Sequence, residues 1–147
     1  MPSLSRNINV ISRCASSYRA DRLEGCGISS AHYFYVLAIY KNPGISQDKL
    51  AKKLYLNKSS VARALQVLES DGFISRKSST EDRRITLVYP TKKAELIYPL
   101  IKEVSDSWNE FLLESLDENE RDIFTELMKK VSERASSYMD KGSEGEK

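Results

Sequence analysis

The chain has 147 residues, 40% of them hydrophobic, with 23 Lys and Arg against 21 Asp and Glu, one histidine and two cysteines. That size and balance fit one compact domain with a sizeable core, and no run of about 18 apolar residues exists to span a membrane. His32 with Cys14 and Cys26 makes no zinc-ligand set, and there is neither a glycine-rich phosphate loop nor a nucleophile–base pair at usable spacing, so no metal, cofactor or enzyme chemistry is expected.

In chain order, Leu4, Ile8, Ile11, Ala15 and Tyr18 step by fours and threes, the spacing of an amphipathic helix, and Gly25 and Gly27 end it. This start has no apolar core of the kind that directs export, so a reduced, cytoplasmic protein is expected. Ser29 or Ser30 suits the N-cap of a second helix reaching Lys41, with Phe34, Leu37 and Tyr40 or Tyr33 inward. Asn42-Pro43-Gly44 is a turn. Ser46 caps a third helix and Asn57 a fourth, which runs to about Ser70 before Asp71-Gly72 stops it.

The third and fourth helices fit together as a helix-turn-helix. In QDKLAKKLYLNKSSVARALQ, Leu50, Ala51 and Leu54 line one face, Leu56 closes the turn, and Val61, Ala64 and Leu65 face inward on the second helix. Two short helices crossing steeply share a core only with small or aliphatic residues at those places. Lys58, Ser59, Ala62, Arg63 and Gln66 are left outward, a polar and basic face suited to a DNA major groove.

After Gly72 the period changes to two. Phe73 to Lys77 and Arg84 to Tyr89 read as strands, with Ile85, Leu87 and Tyr89 on one face and a polar turn between them. A two-stranded hairpin is marginal alone and must lean on the helices before it. The result is a winged helix, with Arg76, Lys77, Arg83 and Arg84 on the wing.

Pro90-Thr91 opens a fifth helix whose apolar positions include Ala94, Ile97, Tyr98, Ile101, Val104, Trp108, Phe111 and Leu112, with a kink expected at Pro99. A sixth begins at Asp117, with Glu120 completing a capping box, and continues through Ile123, Phe124, Leu127, Met128, Val131 and Ala135 toward Tyr138. The stretch from Asp140 to Lys147 reads as a loose tail. The expected fold class is therefore mainly α with a small β-hairpin wing. A winged helix-turn-helix core (29–90) lies between an N-terminal dimerisation helix (1–28) and C-terminal dimerisation helices (91–139), all one structural domain, followed by a disordered tail (140–147).

Charge is segregated along this plan. Residues 1–45 hold five Lys/Arg and two Asp/Glu, residues 46–93 eleven and five, and residues 94–147 seven and fourteen. The basic excess lies on the helix-turn-helix and wing, where it attracts a polyanion. The apolar stripes of the first, fifth and sixth helices exceed what the winged helix needs for cover. A symmetric dimer buries the surplus and sets two reading helices roughly 34–36 Å apart, matching a palindromic site on double-stranded DNA.

From about Leu4 to Tyr138 the chain resembles the MarR family of bacterial transcriptional regulators. The carrying stretches are ISQDKLAKKL, NKSSVARALQVLESDGFISRK and STEDRRITLVYPTKKA. The family's Asp-x-Arg wing motif is similar to Asp82-Arg83-Arg84. The resemblance implies that Asp82 orients Arg84 and that Arg83 or Arg84 enters the minor groove. It also implies a homodimer built by terminal helices, and repression relieved by a small ligand or by oxidation. Two positions depart from the family pattern: the helix-turn-helix turn holds Tyr55-Leu56 without a glycine, and the last strand ends Tyr89-Pro90-Thr91.

On this reading Arg63 pairs with guanine, Gln66 meets adenine or a phosphate, and Lys58, Ser59 and Ser60 meet phosphate at the helix start. Ser59 and Ser60 have a simpler alternative role, supporting the cap. Ser46, Gln47, Asn57, Ala62, Arg76, Lys77, Asp82, Arg83 and Arg84 complete the candidate DNA-binding set. The resemblance places an effector cavity among the first, second and fifth helices. There Tyr18, His32, Tyr33 and Tyr98 are candidates to meet a small aromatic or amphipathic ligand, although each is equally a residue for a core or interface. Two rival readings stand beside this one. In a cysteine-based redox sensor, Cys26, set among glycines, is expected to be the more exposed thiol. A winged-helix protein-docking module would present an apolar face where Lys58, Arg63 and Gln66 stand.

Overall fold

The computed structural model describes residues 3–143. The chain divides after Trp108, inside its fifth helix, into two compact units.

In the first unit, α1 (Leu4–Arg22) starts where the Ser3 hydroxyl accepts the Arg6 N–H at 3.1 Å, and Arg19 and Arg22 in its last turn suit the negative end of the helix dipole. Helix α2 (Tyr33–Lys41) begins later than Ser29 or Ser30 would have it. The N–H groups of His32 and Tyr33 both donate to the Ser29 carbonyl at 3.1 Å, making a turn there, and no side chain caps the helix. Its buried residues are Tyr35, Val36 and Ile39, whereas Tyr33, Phe34, Leu37 and Tyr40 are half-buried. An α2 apolar on nearly every side gives no stripe from which the inward face could be read.

Helices α3 (Gln47–Leu54) and α4 (Lys58–Ser70) form the expected helix-turn-helix. The Ser46 hydroxyl accepts the Lys49 N–H at 3.2 Å, and Asn57 Oδ1 accepts the Ser60 N–H at 2.8 Å. Leu50, Ala51, Val61, Ala64 and Leu65 are buried as expected, joined by Leu68. The glycine-free turn is made by Tyr55 itself, which adopts the left-handed conformation (φ 54°, ψ 40°). The N–H of Leu56 then returns to the Ala51 carbonyl at 3.0 Å, closing the helix end as a glycine would.

The sheet has three strands, β1 (Ile45–Ser46), β2 (Ile74–Ser78) and β3 (Thr86–Pro90), antiparallel in the order β1-β3-β2. The hairpin is thus extended by a strand of two residues, too short to show a period of two. Ile45 and Arg76 flank Val88 in register. Val88, fully buried, marks the inner face of β3; Leu87 and Tyr89 are half-buried, and Ile85 lies exposed in the turn before the strand. Phe73 precedes β2, and Arg84 belongs to the same turn as Ile85.

Helix α5 (Lys92–Leu113) opens at Thr91, whose hydroxyl donates to the Gly72 carbonyl at 2.5 Å. It runs through Pro99 as one helix and buries Ala94, Ile101, Val104 and Trp108. In the second unit, α6 (Glu118–Ser143) begins with the expected capping box: the Glu120 N–H donates to Asp117 Oδ1 at 2.9 Å, and the Asp117 N–H to Glu120 Oε2 at 3.0 Å. The helix continues to Ser143, through the first residues of the stretch expected to be a loose tail; residues 144–147 lie outside the described residues.

A tyrosine in the left-handed region carries a steric cost of about 1–2 kcal/mol that glycine does not. Tyr55→Gly is therefore expected to raise stability by about 1 kcal/mol, read as a higher midpoint of urea unfolding. A lower midpoint would mean that the tyrosine side chain outweighs its strained backbone.

Candidate nucleic-acid interface

The outward face of α4 matches its sequence. Lys58, Ser59, Arg63 and Gln66 are exposed, and Ser60 and Ala62 are half-buried. Several of the candidate side chains already hold one another. Asn57 Oδ1 accepts the Ser59 hydroxyl at 2.9 Å as well as the Ser60 N–H, so Ser59 and Ser60 do support the cap. Lys58 Nζ lies 3.3 Å from Asp48 Oδ2, both side chains about 70% exposed, a pair that water competes with and that contributes about 0–1 kcal/mol. Ser46 is occupied as the cap of α3.

The wing tip is built around Asp82. Its Oδ1 accepts the Arg84 N–H at 3.0 Å and Nε–H at 3.1 Å, and its Oδ2 accepts Nη2–H at 3.0 Å. Arg84 is nevertheless 90% exposed, so its charge is both aimed and accessible. The hydrogen bonds from Arg84 hold the Asp82 carboxyl below the ordinary carboxylate range and raise the guanidinium in turn. Arg83 is exposed beside it. Lys77 extends its ammonium over the Tyr89 ring at 4.5 Å, a cation–π contact across the two strands.

Arg76 is placed differently from the rest. Its side chain is only 23% exposed, with Nη2 3.1 Å from Glu69 Oε1 and Nη1 3.5 Å from Gln47 Oε1, while its backbone N–H donates to Glu69 Oε2 at 3.0 Å. Glu69 is not among the residues that the helix-turn-helix and wing patterns single out, yet the sequence carries a signal. A carboxylate in the last turn of a helix opposes the dipole, and α4 has no basic residue there to offset it, so Glu69 needs a partner from elsewhere.

The four candidate effector residues make different contacts. Tyr98 stacks on Tyr40 at 3.8 Å, Tyr18 lies 5.2 Å from Trp108, and Tyr33 lies under the Arg19 guanidinium at 4.8 Å. His32 lies instead against Tyr35 and lines an open depression of about 490 Å³ between the α1–α2 loop and α4. The cysteines also depart from expectation: Cys14 is exposed, and Cys26 is half-buried, packed against the core between the buried Leu23 and Ile28 of its loop.

The MarR family model matches residues 28–86, which hold the helix-turn-helix and most of the wing. The uncharacterized HTH-type transcriptional regulator YybA of Bacillus subtilis (strain 168) is 30% identical over 97% of each chain. The chain belongs to the MarR family. Solved structures of MarR-type regulators agree over its length. A SlyA-like transcription regulator from Listeria monocytogenes gives a TM-score of 0.92 at 28% identity, covering 100% of this chain and 98% of the other. A MarR-family regulator from the same organism, complexed with 26mer DNA, gives 0.89 at 28% identity with the same coverage. This MarR-family chain is thus a winged-helix transcriptional regulator.

Because the folded Asp82 carboxyl is held below the ordinary carboxylate range, the stability contributed by its pairing with Arg84 is fully present above that range and is lost as pH falls through the lowered value. In a carboxyl-carbon NMR titration Asp82 is expected to titrate below an unperturbed aspartate. Arg84→Ala should move it back toward the ordinary range, short of full return because the N–H of residue 84 still donates to Asp82. A midpoint that this substitution leaves in place would assign the shift to something other than the Arg84 guanidinium.

Proposed function

We propose that two copies of this chain bind a palindromic duplex, each inserting α4 into a major groove and Arg84 into the flanking minor groove, and that the bound dimer represses transcription. The observation carrying this reading is Arg84, fixed by three hydrogen bonds yet almost fully exposed at the tip of a hairpin. A guanidinium oriented and left accessible suits a narrow groove of negative potential. Arg63, exposed on α4, has the fork for guanine; Gln66 reads adenine or meets phosphate, and Lys58, Arg83 and Lys77 add phosphate contacts. A polar and basic face at these positions disfavours the protein-docking alternative.

The dimer is supported by apolar faces that each unit leaves uncovered. Leu4, Ile8 and Ile11 are exposed on α1, and Ile123, Phe124, Leu127, Met128 and Val131 are exposed along one face of α6. Water-exposed rows of this size are ordinarily covered by a partner. The test is selection of bound fragments from a random duplex pool, with sedimentation of the free protein and of its complex. A dimer on a two-fold site is expected. Arg63→Ala should weaken the selected site by about 1–3 kcal/mol with little effect on random duplex, and Arg84→Ala should act most on A·T-rich flanks. Equal losses on every sequence would remove these assignments, and a monomer indifferent to duplex at low salt would remove the function.

Release by a small effector belongs to the same reading. Arg19 and Arg22 of α1 lie over the rings of Tyr33 and Tyr18, and the buried Arg19 Nε has no hydrogen-bond partner among the described residues. A buried donor of this kind suits an anion carried on an aromatic ring. Within a panel of aromatic carboxylates, at least one is expected to lower DNA affinity of the wild type and not of Arg19→Ala. A panel without effect on either would exclude this class.

A further inference from the structure

We infer that Glu69, acting through Arg76, is a positioning residue that fixes the wing against the reading helix, so that both engage one DNA site together. The inference rests on the DNA-reading role proposed above and reassigns Arg76 from contacting DNA to holding the reader in shape.

The argument begins at the sheet edge. Strand β2 is an outer strand, with Arg76 paired to Val88 of β3 on its inner side. The Arg76 N–H turned away from β3 would face solvent; it donates instead to Glu69 Oε2 at 3.0 Å. The other carboxylate oxygen of Glu69 takes the guanidinium at 3.1 Å, so both oxygens of one side chain are spent on one residue. A carboxylate held at two points permits far less swing than an end-on ion pair between two mobile side chains. The third contact, from Nη1 to Gln47 Oε1 at 3.5 Å, reaches the first residue of α3. One guanidinium therefore bridges the last turn of α4, the wing and the start of α3.

Its partial burial separates this cluster from the pair Lys58–Asp48, whose members are both well exposed. An exposed lysine can leave its partner for a phosphate at little cost. Arg76 would have to abandon a carboxylate and an amide together, leaving Glu69 unpaired beside a polyanion.

The experiment uses the full chain, a duplex carrying the selected site and a random duplex of equal length, with thermal melting to verify that each variant folds. Glu69→Gln keeps the size of the side chain and removes a negative charge, so electrostatics alone predicts tighter binding to both duplexes. A positioning role predicts the opposite on the selected site: a loss of tenfold or more, with random duplex unchanged or slightly tighter. Arg76→Lys keeps the charge and loses the fork, and is expected to lose affinity in the same way. The decisive readout is coupling. In the Glu69→Gln background the fold-loss caused by Arg84→Ala should shrink toward one, because a wing already out of place has no contact left to lose.

Tighter binding by Glu69→Gln with Arg76→Lys unchanged would make Arg76 a phosphate contact restrained by Glu69, and would overturn the inference. So would a loss from Arg84→Ala of equal size in both backgrounds. Should Glu69→Gln fail to fold, Arg76→Lys carries the same test against Arg84→Ala. These outcomes leave the DNA-reading role standing, whereas a wild-type protein without affinity for any duplex would overturn both.

Discussion

Phe73 has no exposed surface, and the helix-turn-helix and wing depend on how that residue is held. Its N–H donates to the Leu68 carbonyl at 2.9 Å, closing α4, and its carbonyl accepts the Thr91 N–H at 3.0 Å, opening α5. Gly72, with φ at 83°, supplies the left-handed step that lets the chain reverse between helix and strand. Lys93 spans the junction, with Nζ 2.6 Å from the Asp71 carbonyl and 4.4 Å above the Phe73 ring. Burying a phenylalanine contributes about 1.5–3 kcal/mol, but the larger consequence is geometric. The end of α4, the root of the wing and the start of α5 share one residue. None can shift without uncovering that ring.

Charge is organised around this junction by degree of commitment. The segment 46–93 is the basic part of the chain, yet four of its cations are paired with carboxylates, Lys58 with Asp48, Arg76 with Glu69, Arg84 with Asp82 and Lys92 with Glu95. Exposed pairs contribute little to stability, so their use lies in aim. Lys58 is lightly restrained. Arg84 is oriented while its charge stays in water. Arg76 is drawn inward and bound at several points. A basic sequence stretch thus resolves into cations that can be given to a polyanion and others, Arg76 and Lys93, that are bound within the fold.

What could be read in the sequence was local. The caps at Ser46, Asn57 and Asp117, the inward residues of α3 and α4, and the Asp82–Arg84 pair all depend on residues two to four positions apart, and all are found in the structure. What escaped depended on distant partners or on the absence of contrast. Strand β1 exists because Ile45 and Ser46 meet Val88 and Leu87 some forty positions later. The inward face of α2 was hidden by a helix apolar nearly all round, and Tyr98 meets Tyr40 across more than half the first unit's length in sequence. Cys26 reads as exposed among its glycines, whereas its loop is pressed onto the core. Glu69 was legible only through a misfit, an acid at the wrong end of a helix dipole.

The wing combines two kinds of determination, and they separate along its length. At the root, β3 lies between β1 and β2, and the outer side of β2 is tied to α4 through Glu69. The tip is closed by its own residues: the Ser79 N–H donates to the Ile85 carbonyl at 2.8 Å, the Ile85 N–H to the Asp82 carbonyl at 3.0 Å, and Ser79 Oγ accepts the N–H groups of Glu81 and Asp82. A tip that satisfies its own backbone does not depend on the helices for its shape, and a root held by the helices does not depend on the tip. The direction of the wing is therefore set in α4 and the sheet, while the charge it displays is set within a few residues of Asp82. A change of side chain at the tip thus leaves the hydrogen bonds at the Phe73 junction intact.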